Sequence, residues 1–162
     1  MRNVKSEKHL GHVFENSHNI INIGSTIQDI KVRSNIILNK FRPVSWESKV
    51  LLFNSQCSSL YGCPLWRLDD NNDVDRLCTE WNVCCRRVLG LHPRTRTYLI
   101  HQIMGNLPIK YIIMNRVLNF FISGIKHEST LISNFFKNVL TANSSHMLTN
   151  VNSILNFLNI KH

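Results

Sequence analysis

Apolar residues recur at intervals of three and four through most of this 162-residue chain, and few residues interrupt the pattern. That spacing places apolar side chains on one face of an α-helix, which is then buried against a neighbouring helix. The sequence contains only four prolines and six glycines, so positions that break a helix are rare. The pattern predicts an all-α protein that is built from amphipathic helices.

Capping residues and turn residues divide the pattern into separate helices. We expect a first helix from a cap at Ser25 or Thr26 to Pro43, because hydroxyl side chains bind the free N–H groups of a first turn. A second helix should begin at the Ser45 cap and stop near Gly62.

A third helix should follow the acidic turn at 69–73 and end at Gly90. It would carry acids at its start and Arg86-Arg87 at its end, the order that the helix dipole favours. Further helices are expected near 98–104, after Pro108, near 129–141 and near 145–159. Residues 8–14 favour a strand, so a short N-terminal β-hairpin could accompany the helices. We divide the chain into an N-terminal piece 1–24, a helical segment 25–125 and a C-terminal helical tail 126–162.

The chain is basic, with a formal net charge of +9, and the excess lies in its second half. Residues 82–162 contain nine Lys and Arg but a single acid, Glu128. Such asymmetry is typical of proteins that bind a polyanion, most often a nucleic acid, although a basic surface can also serve solubility alone. No apolar run is long enough for a membrane span, and none follows the N-terminus as in a signal peptide. We therefore expect an intracellular protein without a membrane partner.

Five cysteines lie within 29 residues, and two pairs share the same spacing, Cys57-x5-Cys63 and Cys78-x5-Cys84. Structural zinc sites usually take cysteines two to four residues apart, so this spacing is a poor match. Cys57 and Cys84 also lie in strongly apolar helical patterns, where a thiol packs as a small hydrophobe. We expect reduced, buried cysteines and no metal ligands, with a zinc site as the alternative.

Catalytic constellations are not evident in the sequence. The adjacent acids Asp69-Asp70 could hold a metal ion, but they precede a helix and are better explained as capping residues. A Cys–His nucleophile would require His92 or His101 to meet Cys84 or Cys85, and nothing local enforces that contact. There is no glycine-rich phosphate loop. We predict no catalytic residues.

Basic side chains on the helices and in one loop are the best candidates for binding. Arginine and lysine at these positions could follow a phosphate backbone, and the loop Arg94-Thr95-Arg96-Thr97 adds hydroxyl groups just before a helix start. A solvated loop with capping threonines, and arginines that serve the helix dipole, are the structural alternatives. The predicted nucleic-acid-binding residues are Lys31, Arg33, Lys40, Arg42, Arg86, Arg87, Arg94 and Arg96.

Five segments in order resemble the reverse transcriptases of non-LTR (LINE-type) retrotransposons, downstream of the polymerase palm. Residues 53–66 (FNSQCSSLYGCPLW) resemble a helix that ends in a Ser-Leu-Tyr-Gly-like turn followed by Leu-Trp. The similarity continues through Trp81, RRVLGLHPRT at 86–95, LPI at 107–109 and Arg116 to Asn119-Phe120. Upstream, Leu10-Gly11-His12 with the helix from Ile27 to Arg33 resembles a primer grip that leads into the thumb. The resemblance covers roughly residues 8–125.

The resemblance implies a thumb-like helical bundle with the segment that follows it, which would contact the phosphates of an RNA–DNA template–primer duplex, or of RNA or DNA. The family synthesises DNA on RNA templates with magnesium held by an aromatic-Ala-Asp-Asp hairpin. That hairpin would lie before residue 8 and is absent, and Asp69-Asp70 stands at the wrong place to replace it. We expect no polymerase activity from this chain alone, no cofactor in it and no small-molecule substrate. The expected location is the nucleus or the cytoplasm.

Two other functions stay open. The apolar helix faces could form an independent helical module that recruits a protein, which exposed hydrophobic surface would favour. The cysteine cluster could instead build a small zinc-dependent nucleic-acid binder, which stoichiometric zinc would reveal.

Overall fold

A computed structural model describes residues 6–9, 12–15, 23–66, 68, 71–141 and 146–158, and helices dominate it. The all-α class is therefore confirmed. The elements are β1 Ser6–His9, β2 His12–Glu15, α1 Ile23–Lys40, α2 Trp46–Cys57, a 3-10 helix Cys63–Leu65, α3 Asn71–Val88, α4 Thr97–Met104, α5 Ile109–Ile125, α6 Thr130–Thr141 and α7 His146–Phe157. No helix in the described ranges is both long enough and apolar enough to cross a membrane.

The front of the chain forms a two-stranded antiparallel hairpin instead of a single strand. Strands β1 and β2 pair with Ser6 opposite Glu15 and His9 opposite His12. Leu10 and Gly11 of the expected primer-grip motif, and the acids Asp69 and Asp70, lie outside the described residues.

The chain forms two compact units that are interleaved in sequence. One consists of Met1–Ile21, Gly62–Asn71 and Tyr111–His162, and the other of Asn22–Tyr61 and Asn72–Lys110. We call them the terminal unit and the central unit. The three-segment division at residues 24 and 125 stays a prediction.

The central unit is built around aromatic and aliphatic side chains of α2, α3 and α4. Phe53, Leu77 and Ile100 are fully buried, and the rings of Phe53 and Trp81 pack with their centroids 4.8 Å apart. Phe53, Leu77 and Trp81 lie on the apolar faces that the sequence indicates for α2 and α3. In α4 the sequence indicates Leu99 and Ile103, but both are exposed and Ile100 is buried instead. Burial of such side chains supplies the main driving force for packing α2 against α3.

Three helix boundaries differ from the prediction. Helix α3 begins at Asn71, inside the acidic segment 69–73 that the prediction places before it, so Asp73 lies in its first turn. Helix α1 begins at Ile23, so Ser25 and Thr26 lie in its first turn and do not cap it. Ile23 is buried, and the burial of its apolar side chain stabilises the two additional helical residues. Helix α2 ends at Cys57, five residues before Gly62, because Leu60 takes a positive φ of 37° that a helix does not allow.

The end of α3 follows the prediction. Gly90 has a φ of 67°, its N–H donates to the Arg87 carbonyl at 3.2 Å, and the Leu91 N–H donates to the Arg86 carbonyl at 2.8 Å. This pair of bonds is a Schellman motif, for which glycine is the favoured residue. The chain reverses here and leads into the loop before α4.

The terminal unit contains a second core. Phe121, Phe136, Val139 and Val151 from α5, α6 and α7 form its buried cluster. Gly124 lets α5 and α6 approach closely, because a Cβ at this position would lie 2.5 Å from the Phe136 ring.

Candidate nucleic-acid interface

Two predicted cations on α1 contact other parts of the central unit. Lys31 Nζ lies 2.8 Å from Glu80 Oε1 on α3. Arg33 donates from Nη1 to the carbonyl of Gln56, near the end of α2, and to Ser59 Oγ at 3.4 Å. Both side chains therefore join α1 to neighbouring segments of the same unit.

The adjacent arginines at the end of α3 point to different partners. Arg87 donates from Nη2 to Asn35 Oδ1 on α1 at 2.8 Å. Arg86 donates from Nε to the Thr95 carbonyl at 3.0 Å and from Nη2 to Thr97 Oγ1 at 3.2 Å. These contacts add tertiary roles to the favourable position of both charges at a helix C-terminus.

Four predicted cations have exposed side chains. Within the part of the chain that the structure describes, the side chains of Lys40, Arg42, Arg94 and Arg96 make neither hydrogen bonds nor ion pairs. Their charges face solvent, where a phosphate could reach them without displacing an internal contact.

The first exposed pair lies at the connection between α1 and α2. Lys40 is the last residue of α1, and Arg42 follows in the turn. Lys49 of α2 donates from Nζ to the Arg42 carbonyl at 3.1 Å, and the Val44 N–H donates to the Phe41 carbonyl at 3.1 Å. The turn is thus held from both sides while the Arg42 side chain stays in solvent.

The second exposed pair lies in the loop between α3 and α4. The Thr95 N–H donates to the His92 carbonyl at 2.9 Å, and the Arg94 N–H donates to His92 Nδ1 at 3.2 Å. Arg96 occupies the N-cap position of α4 with no side-chain capping bond. The backbone of this loop is hydrogen-bonded internally, and the guanidinium groups of Arg94 and Arg96 extend from it.

The local sequence pattern did not distinguish the engaged cations from the exposed ones. It also missed the acceptors Asn35, Thr95 and Thr97 as partners of arginine. One signal was available, since the glycine cap at Gly90 turns the chain back towards α3 and so brings the loop near Arg86.

The cysteines are free thiols, and Cys57, Cys63, Cys84 and Cys85 are buried as expected, while Cys78 is half-buried. Burial and the neighbouring Cys84 thiol raise the pKa of Cys57 to about 12, and burial also raises the pKa of each of the other four. These thiols stay protonated at neutral pH and pack as small apolar groups. Among the described residues, no three His, Cys, Asp or Glu side chains come together in a way that could hold a metal ion.

Comparisons with known proteins add no relative. The sequence matches no protein-family model, and neither curated proteins nor solved structures give a significant match.

Proposed function

We propose that this chain is the thumb and post-thumb part of a LINE-type reverse transcriptase and that it contacts the phosphates of a template–primer duplex. The observation that carries the proposal is the exposure of four cations at two turns of one compact unit, none of which has a side-chain partner among the described residues: Lys40, Arg42, Arg94 and Arg96. The proposed family is supported by the ordered motifs at residues 8–125, which resemble it.

The proposed contact is electrostatic and insensitive to base sequence. Guanidinium groups form paired hydrogen bonds with phosphate oxygens, and each contact releases counterions from the nucleic acid. Affinity should therefore fall steeply with salt. The role implies action in the nucleus or the cytoplasm, where polymerases of retroelements meet DNA and RNA.

The proposal assigns no chemical step to this chain. The family's magnesium is held by an aromatic-Ala-Asp-Asp hairpin, and the sequence contains no such motif. Polymerisation would belong to a catalytic palm, and the helices would hold the duplex in place.

Binding to a labelled RNA–DNA primer–template duplex across a salt series tests the proposal. We expect the slope of log affinity against log salt to fall by about 0.9 for each phosphate contact removed. The pair Arg94→Ala/Arg96→Ala should lower both the affinity and the slope. The pair Lys126→Ala/Lys137→Ala removes the same charge from exposed positions of the terminal unit and should change the slope little. Absence of binding at low salt by a folded chain would refute the proposal.

A second candidate, a helical module that recruits a protein, is favoured by the outer surface of α6. Leu131 is 83% exposed, and Phe135, one helical turn further on, is 56% exposed. Large apolar side chains adjacent on a helix surface often mark a protein interface. Self-association or partner capture that is lost in Leu131→Asp, with duplex binding absent, would favour this function.

A further inference from the structure

We propose that Arg86 is a positioning residue, which holds the loop between α3 and α4 so that Arg94 and Arg96 are presented to phosphate. The inference rests on the proposed function, and it changes the predicted role of Arg86 from a nucleic-acid contact to a support for two other contacts.

The two acceptors of Arg86 lie on either side of Arg96 in the sequence. Arg86 Nε binds the Thr95 carbonyl at 3.0 Å, and its Nη2 binds Thr97 Oγ1 at 3.2 Å. Since both neighbours of Arg96 are bound to α3, the backbone at Arg96 is restrained while its side chain remains exposed. The Arg86 side chain itself is directed to protein acceptors.

The backbone of Arg86 holds the same loop at its start. Its carbonyl accepts the Leu91 N–H at 2.8 Å as part of the helix cap. One residue thus binds the loop at Leu91 and Thr95 and also binds Thr97, the first residue of α4. Arg87 is next to it and has the same charge, but its side chain binds Asn35 of α1.

An ordered loop binds more tightly than a mobile one because its conformational entropy has been lost before the ligand arrives. Arg94 and Arg96 belong to one such segment, and the hydrogen bonds from Arg86 restrict it in the unbound protein. Loss of Arg86 should therefore weaken the phosphate contact through Arg94 and Arg96, although both cations remain.

Limited proteolysis with trypsin, in the absence of nucleic acid, tests whether Arg86 restrains the loop. The bonds after Arg94 and Arg96 are cleavage sites inside the loop. In Arg86→Ala we expect cleavage there to become about tenfold faster, the scale of a lost charged hydrogen bond. Arg87→Ala is the matched control and should leave the rate at these bonds nearly unchanged. Equal rates in the wild type and in Arg86→Ala would overturn the inference.

A double-mutant cycle on duplex binding tests whether Arg86 affects affinity through Arg94 and Arg96. Arg86→Ala should reduce affinity about tenfold in the wild type but less than about twofold in the Arg94→Ala/Arg96→Ala background. A direct phosphate contact by Arg86 would give the same loss in both backgrounds, and this additivity would overturn the inference.

Thr97→Val provides a second variant that keeps every charge and removes one acceptor of Arg86. Positioning predicts faster cleavage of the loop and weaker binding, whereas a direct contact by Arg86 predicts unchanged binding. Circular dichroism verifies that each variant is folded. Wild-type protein that is folded but binds no duplex refutes the proposed function and this inference together. Wild-type protein that binds, with additive losses, refutes the inference alone.

Discussion

Asn150 of α7 donates from Nδ2 to the Trp66 carbonyl at 2.7 Å, although 84 residues separate them in sequence. Its Oδ1 accepts the Leu68 N–H at 2.9 Å. Asn150 is almost completely buried, so one amide satisfies two backbone groups that have no partner within a helix. The contact joins α7 to the segment after the 3-10 helix inside the terminal unit.

Replacing Asn150 by Leu should destabilise the terminal unit by about 3 kcal/mol, because the substitution leaves a carbonyl and an N–H buried without partners. Urea unfolding, followed by circular dichroism, measures the loss. Asn152→Leu alters an exposed residue of the same helix and should change stability by less than about 0.5 kcal/mol. Equal effects of the two substitutions would contradict the role assigned to Asn150.

Gly124→Ala should also destabilise the terminal unit, by about 1–3 kcal/mol, although alanine is the better helix former. The added Cβ would lie 2.5 Å from the Phe136 ring, which packs against Phe120 and Phe121 and has little room to move. Thermal unfolding of the variant checks the direction. Ser123→Ala, at the preceding exposed position of α5, is the control. An increase in stability for Gly124→Ala would show that α5 and α6 are not in close contact.

His101 should make the central unit less stable in mild acid. Burial lowers the pKa of His101 below its ordinary value of 6.5, and its Nδ1 is buried with no hydrogen-bond partner in the described chain. The unfolded chain then binds this proton more readily than the folded chain does. The free energy of unfolding is therefore highest above about pH 6.5, and it declines as the pH falls towards the lowered pKa of the folded state. Urea midpoints on either side of pH 6.5 measure this effect, and His101→Gln should reduce the difference between them. An unchanged difference would contradict the assignment.

The thiols should react slowly in the native protein. Burial raises the pKa of each cysteine, and the thiolate is the reactive species, so both access and ionisation oppose labelling. Cys78 is only half-buried and should react first with a thiol reagent at neutral pH. Cys78→Ser should remove that first phase, while urea should release all five thiols. A fast phase that persists in Cys78→Ser would place the accessible thiol elsewhere.

Local features of the fold could be predicted because they depend on neighbouring residues. Helical periodicity located the buried faces around Phe53 and Leu77, and a single glycine, Gly90, located the C-terminal cap of α3. The start of α1 and the end of α2 could not be placed in the same way. They depend on the burial of Ile23 and on the unusual backbone at Leu60, which tertiary packing decides.

The sequence by itself determined that the chain is helical and basic, because periodicity and charge are properties of the chain alone. Only the tertiary structure decided which predicted cations face solvent. Arg86 and Arg94 are indistinguishable as isolated basic residues, yet the chain reversal at Gly90 gives Arg86 two internal acceptors and leaves the Arg94 side chain with none in the described chain. Hydrogen bonds between residues distant in sequence form only after the helices have packed, so local patterns do not encode them.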